Sequence, residues 1–166
     1  MDLRPKRGGS QRVFGCAWFV KEFLTGNKPY GSPAVDPAIG APQSEIFYHY
    51  KNSLSRETAM EKATRQEENL ARQGKRSINP EKIDKLYKRY LEQTPYKTTS
   101  CRYHSFVVYF SNMIRLGWVE FTGRIEHSEF QDHYVKAQPK RYYRLTPTGI
   151  AASEADWANP QAALNR

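Results

Sequence analysis

Two histidines, His127 and His133, stand among Glu126, Glu129 and Asp132, all side chains able to ligate a divalent ion. Their spacing matches neither a zinc site nor a calcium loop, and no cysteine pair accompanies them. A solvated polar segment accounts for them better, and no metal is expected. Cys16 and Cys101 are the only cysteines, too few for a disulfide framework and in keeping with reduced thiols in a cytoplasmic protein. Cys101 lies near Lys97 and Arg102 at a helix start, where a thiol pKa can fall far enough for redox sensing. A small residue on a helix face is the plainer reading. His49 sits in the run Ile46-Phe47-Tyr48-His49-Tyr50 and reads as a packed ring rather than a catalyst. There is no phosphate loop, nucleophile elbow or dinucleotide fingerprint. Neither enzymatic activity nor a cofactor is expected.

The chemistry that remains is that of charge. The 166 residues carry a formal net charge of +9, with +4 in residues 1–30, +1 in 31–80, +4 in 81–125 and none in 126–166. A positive excess clustered in this way favours a polyanionic partner. Within the basic stretch, a helix over about 99–116 puts Cys101, His104, Ser105, Val108, Ser111, Asn112 and Arg115 on one arc. The opposite arc collects Tyr103, Phe106, Val107, Tyr109, Phe110, Met113, Ile114 and Leu116 and is the expected core face. Hydrogen-bonding side chains around one small apolar residue suit a helix that reads base edges in the major groove. His104, Ser105, Asn112 and Arg115 are then expected to face bases. Lys97, Thr98, Thr99 and Ser100, with Lys85 and Arg89 of the preceding helix, are expected to face phosphate.

These side chains need a frame. Residues 1–10 read as a flexible basic arm, in which Arg4-Pro5-Lys6-Arg7 either tracks an adjacent groove or stays a disordered tail. Lys21 and Glu22 interrupt the apolar run that follows, so a signal peptide is not expected, and no window suits a membrane span. Residues 11–24 form an apolar helix stopped by Gly26. Residues 27–43, rich in proline, form a long loop. A helix over 44–76 begins with the aromatic run and turns polar after Ser53, where its thin apolar content (Leu54, Ala59, Met60, Ala63, Leu70) suits a helix that projects, frays or packs on a partner. Asn79 caps a third helix begun by Pro80, with Ile83, Leu86, Tyr87, Tyr90 and Leu91 at the helical period and Lys82, Lys85, Lys88 and Arg89 outside. Thr98, Thr99 or Ser100 caps the fourth helix, and Gly117 stops it. A strand over 118–122, a polar wing over 123–140, a strand over 141–145 and a last helix from Pro147 to about Asn159 complete the chain, with 160–166 as a tail. The expected fold is mainly α with a small antiparallel β-hairpin (α+β): additional N-terminal helices over 11–78, a winged helix-turn-helix core over 79–159, and a C-terminal helix.

The segments IRLGWVEFTGR (114–124) and PKRYYRLTPTGIAA (139–152) resemble the end of the recognition helix, the wing and the exit helix of MarR/PadR-type winged-helix regulators. Leu116, Gly117, Trp118, Val119 and Glu120 correspond to that family's first wing strand, and Tyr143, Leu145, Thr146 and Gly149 to its strand-to-helix turn. The resemblance spans about 98–152. It implies a DNA-binding regulator of transcription, expected as a homodimer on double-stranded DNA and associated with the nucleoid. Residues 27–78 have no counterpart in a minimal module of that family. On the wing, Arg124, Lys136, Lys140 and Arg141 are candidates for phosphate or minor-groove contact, opposed by Glu126, Glu129 and Asp132; a solvated hairpin is the plainer alternative. A competing expectation is a winged-helix interaction module in a larger assembly, with 44–76 as its protein-docking helix.

Overall fold

A computed structural model describes residues 15–93, 102–126 and 139–166 of the chain. It is mainly helical, with one small three-stranded antiparallel sheet. The first helix, α1 (Cys16–Thr25), turns Phe19, Val20, Phe23 and Leu24 inward. Gly26 ends it in the left-handed region at φ +88°; its N–H donates to the Phe23 carbonyl at 3.1 Å and the Asn27 N–H to the Glu22 carbonyl at 3.0 Å, which satisfies two carbonyls of the last turn.

The proline-rich stretch is more ordered than a linker. A 3₁₀ turn, Pro29–Gly31, is followed by an Asp36 turn in which the carboxylate accepts the Ala38 N–H at 2.9 Å. The chain then enters β1 (Ala41–Pro42), which pairs with the returning wing strand. Sequence periodicity has no purchase on a two-residue strand that contains a proline. Gly40 makes the approach possible: it sits at φ +72°, and a Cβ there would lie 1.9 Å from the Tyr143 carbonyl oxygen.

The long helix α2 (Gln43–Gln73) has two halves with different neighbours. Its first third places Ile46, Phe47, Tyr50 and Leu54 in the core beside α1. Beyond Ser55 its buried residues are Ala59, Ala63, Glu67 and Ala71, one every four, and none of them belongs to the main core cluster. That stripe faces α3 (Pro80–Gln93), whose Ile83, Leu86, Tyr87, Tyr90 and Leu91 lie half-buried along the helical period. The polar helix therefore finds its packing partner within the chain. Two helices, each too polar or too short to stand alone, support each other here.

The remaining elements are α4 (Tyr103–Arg115), β2 (Val119–Glu126), β3 (Lys140–Leu145), α5 (Pro147–Ala151), α6 (Glu154–Ala158) and α7 (Pro160–Leu164). The sheet order is β1-β3-β2, with Val119 opposite Leu145, Glu120 opposite Arg144 and Phe121 opposite Tyr143. An aromatic chain runs through the core from Phe19 to Tyr50 (5.3 Å between ring centres), Phe106, Phe110 and Tyr143 (5.1 Å from Phe110). Trp118 and Trp157 join the same core, tilted against each other with ring centres 4.6 Å apart.

Four sequence expectations need correction. The fourth helix begins at Tyr103 rather than near 99, with Arg102 as its extended N-cap residue; Thr98, Thr99 and Ser100, expected to cap it, lie outside the described residues. Its core stripe is narrower than expected: Phe106, Phe110 and Met113 are buried, while Tyr103, Tyr109 and Ile114 are 40–47% exposed. The aromatic core needs only one ridge of this helix, so the flanking rings stay at the rim. The exit helix is three short helices, since Ser153 and Asn159 each cap a new one through a side chain and Pro160 lacks the N–H needed to continue. Residues 160–164, expected in a tail, are the last of these helices.

Candidate nucleic-acid interface

On α4, His104, Val108, Ser111 and Arg115 are exposed at spacings i, i+4, i+7 and i+11, which aligns them along one line of the helix. Phe106, Phe110 and Met113 anchor the opposite side in the core. Ser105 and Asn112 flank that line and are half-buried. The helix is rigidly seated: Phe106 meets Phe47 at 5.2 Å, and Gly117 and Trp118 close its end through N–H donors to the Ile114 and Met113 carbonyls. The outward line thus presents one cation, two hydrogen-bonding side chains and one small apolar residue, a set that can pair with base edges.

The β2–β3 hairpin follows directly. Paired residues share a face, so Phe121 and Tyr143 lie on one side, with Arg141 next along β3, and Glu120, Arg144 and Tyr142 lie on the other. A bulge between Phe121 and Ile125, with Gly123 at φ +89°, lets β2 bend. The Arg124 guanidinium sits over the Tyr142 ring at 4.5 Å, and that of Arg141 over Phe121 at 5.6 Å. Each ring restrains a long side chain that would otherwise lose rotamer freedom on meeting a phosphate. The Tyr142 hydroxyl donates to the Glu126 carboxylate, which pushes the phenol pKa up and satisfies part of the acidic group expected to oppose a polyanion. Lys140 lies 3.6 Å from Glu45 in the first turn of α2, a solvent-facing pair worth under about 1 kcal/mol. Arg144 is committed to the cross-strand Glu120 at 3.0 Å.

Among the expected DNA-facing residues, His104, Ser105, Asn112 and Arg115 share α4, and Arg124, Lys140 and Arg141 share the hairpin. Lys85 and Arg89 are exposed on α3, whose main neighbour is α2 rather than α4. Lys97, Thr98, Thr99, Ser100 and Lys136 lie outside the described residues, as do the basic arm, Cys101, His127 and His133. The rings under Arg124 and Arg141 escape sequence reasoning because the pairing depends on the bulge. His49 packs between Phe23 and Tyr48, and burial lowers its pKa. Cys16 is buried against the core. No helix of the described residues is long and apolar enough to cross a membrane.

The turn that leaves the sheet has its own local logic. Thr146 caps α5 by accepting the Gly149 N–H at 3.0 Å, and its hydroxyl donates to the Gly117 carbonyl. Gly149 lies so close to Trp118 that a Cβ would be 2.3 Å from its carbonyl oxygen, and the Trp157 indole N–H donates to the Gly149 carbonyl at 2.9 Å. Thr146 and Gly149 thus hold the exit from the sheet against the end of α4.

Comparison of the chain with protein-family models, with curated proteins and with solved structures finds no match.

Proposed function

We propose that the chain is a winged-helix protein that binds double-stranded DNA sequence-specifically, as a homodimeric regulator of transcription in the cytoplasm. The observation that carries the reading is α4, with His104, Val108, Ser111 and Arg115 aligned outward and directly opposite a buried aromatic ridge. Further support comes from the element order. Helix α1, the first third of α2 and α4 share one core with a sheet of order β1-β3-β2, and Phe47 and Tyr50 of α2 meet Phe106 of α4. The end of α2 and all of α3 are then an insertion between the two. The resemblance of 114–124 and 139–152 to MarR/PadR-type regulators agrees with this assignment. Arg115 and Asn112 face bases, and Arg124 and Arg141 meet phosphates on either side of the hairpin.

A polarisation titration against duplexes of random and of selected sequence, at two salt concentrations, tests the reading. Affinity should fall steeply with salt through counterion release. Asn112→Ala with Arg115→Ala should cost about 1–3 kcal/mol per lost base contact on the selected site and little on random duplex. Arg124→Gln with Arg141→Gln should weaken both alike. Undiminished discrimination after the α4 substitutions would remove the base-reading role.

A second reading draws on the same helix. Tyr103, Val108, Tyr109 and Ile114 are each 40–48% exposed, an apolar share that also suits docking to another protein. It predicts a stable hetero-complex and negligible duplex affinity at physiological salt.

A further inference from the structure

A two-stranded hairpin is marginal in water unless a third strand or a packed face supports it. Here β1 supplies the third strand, and it touches only two residues of β3: Ala41 pairs with Tyr143 and Pro42 with Tyr142. The same two residues carry the arginines of the hairpin. The Tyr142 ring lies under Arg124 at 4.5 Å. The Tyr143 ring packs at 6.0 Å against Phe121, which in turn lies under Arg141. Tyr143 also meets Phe110 of α4 edge-on at 5.1 Å. One short strand contact therefore bears on both arginine platforms and on the inner side of the reading helix.

The segment that delivers β1 has little slack. Before it, Val35 packs against the core, and its carbonyl oxygen lies 2.9 Å from where a Cβ on Gly26 would stand. The Asp36 carbonyl then accepts the N–H groups of Ile39 at 3.0 Å and Gly40 at 2.9 Å, while its carboxylate accepts that of Ala38 at 2.9 Å. After it, α2 begins at Gln43 and is fixed in the core by Ile46 and Phe47. Gly40, Ala41 and Pro42 are all buried. At Gly40, with φ +72°, a Cβ would lie 1.9 Å from the Tyr143 carbonyl oxygen. A side chain there moves the segment off β3.

We infer that residues 36–42 are a brace that sets the hairpin arginines relative to the reading helix, with Gly40 as a positioning residue for DNA binding. The inference rests on the DNA-binding reading of α4 and the hairpin. The brace meets no ligand itself. It holds the strand that carries Arg124 and Arg141 before DNA arrives, so less conformational freedom is lost on binding. Its signature is energetic coupling: Gly40 and the two arginines act as one unit, and their substitutions do not add.

The test is a thermodynamic cycle on the full chain, titrated with a random-sequence duplex over a range of salt. In the wild-type background, Arg124→Gln with Arg141→Gln should make the log–log salt slope shallower by about 1.8, two phosphates at about 0.9 each. Gly40→Ala leaves the net charge unchanged and should by itself produce most of that change. Adding the arginine substitutions to Gly40→Ala should then alter the slope little. Circular dichroism at the titration temperature checks that each variant is folded. If Gly40→Ala fails to fold, Asp36→Ala loosens the same turn without placing an atom against β3. It raises the net charge by one, so electrostatics without positioning predicts equal or tighter binding. The brace predicts weaker binding and the same lack of additivity. A folded brace variant with the wild-type slope, or one in which the arginine substitutions still remove the full 1.8, overturns the brace alone. Wild-type protein that fails to bind duplex even at low salt overturns the α4 reading and this inference with it.

Discussion

Glu67 shows most clearly how one residue can carry more than its neighbours. Hydrogen bonds from Arg76, and then from the Asn79 backbone, hold its carboxyl at about 2, below the usual 4.5. A folded-state value below the unfolded one stabilises the protein fully above pH 4.5, and the contribution is lost as pH falls through about 2. The difference in urea midpoint between wild type and Glu67→Gln should therefore be constant above about pH 5, shrink below pH 4.5 and close near pH 2. A difference that persists unchanged into strong acid would rule out the ion pair as its source. Sequence reading does not find this residue, because its partners lie nine and twelve positions further along and across a turn. His104, Asn112 and Arg115 were legible, since helical periodicity alone separates them from Phe106 and Phe110.

At the scale of elements, the best-read pieces are those whose ends have chemical markers. Gly26, Asn79 with Pro80, and Thr146 with Pro147 each bound a helix as expected. Elements defined by long-range pairing were not legible: β1 exists only because Gly40 admits it to β3, and once the last helix breaks at Ser153, Trp157 folds back onto Gly149. The same closeness yields a prediction. Gly149→Ala would force a methyl group against the Trp118 backbone and should destabilise the fold by about 1–3 kcal/mol, read as a lowered denaturation midpoint. Thr148→Ala, one residue away and exposed, should leave the midpoint nearly unchanged. Equal midpoints for the two variants would mean that the close approach relaxes without cost.

Across the described residues, the buried cluster draws on α1, β1, α2, α4, β2, β3 and α6, whereas α3 of the α2–α3 hairpin contributes no buried residue. Stability should be divided accordingly. Amide hydrogen exchange should show α3 opening at a markedly lower free energy than α4, and Glu67→Gln should accelerate α3 alone. Uniform exchange across both helices would show that the hairpin opens only with the core. The mainly α architecture was legible from capping and periodicity, but the α2–α3 pairing was not, since thin apolar content is compatible with several partners. The sheet carries one more consequence. A hairpin edge offers unpaired backbone groups on which another chain can template itself, a common route to aggregation. Here β1 covers the edge of β3 with only two residues, the second of which is a proline with no N–H to donate. That side of the sheet is a poor seed for strand addition, and the opposite edge, β2, is interrupted by its bulge.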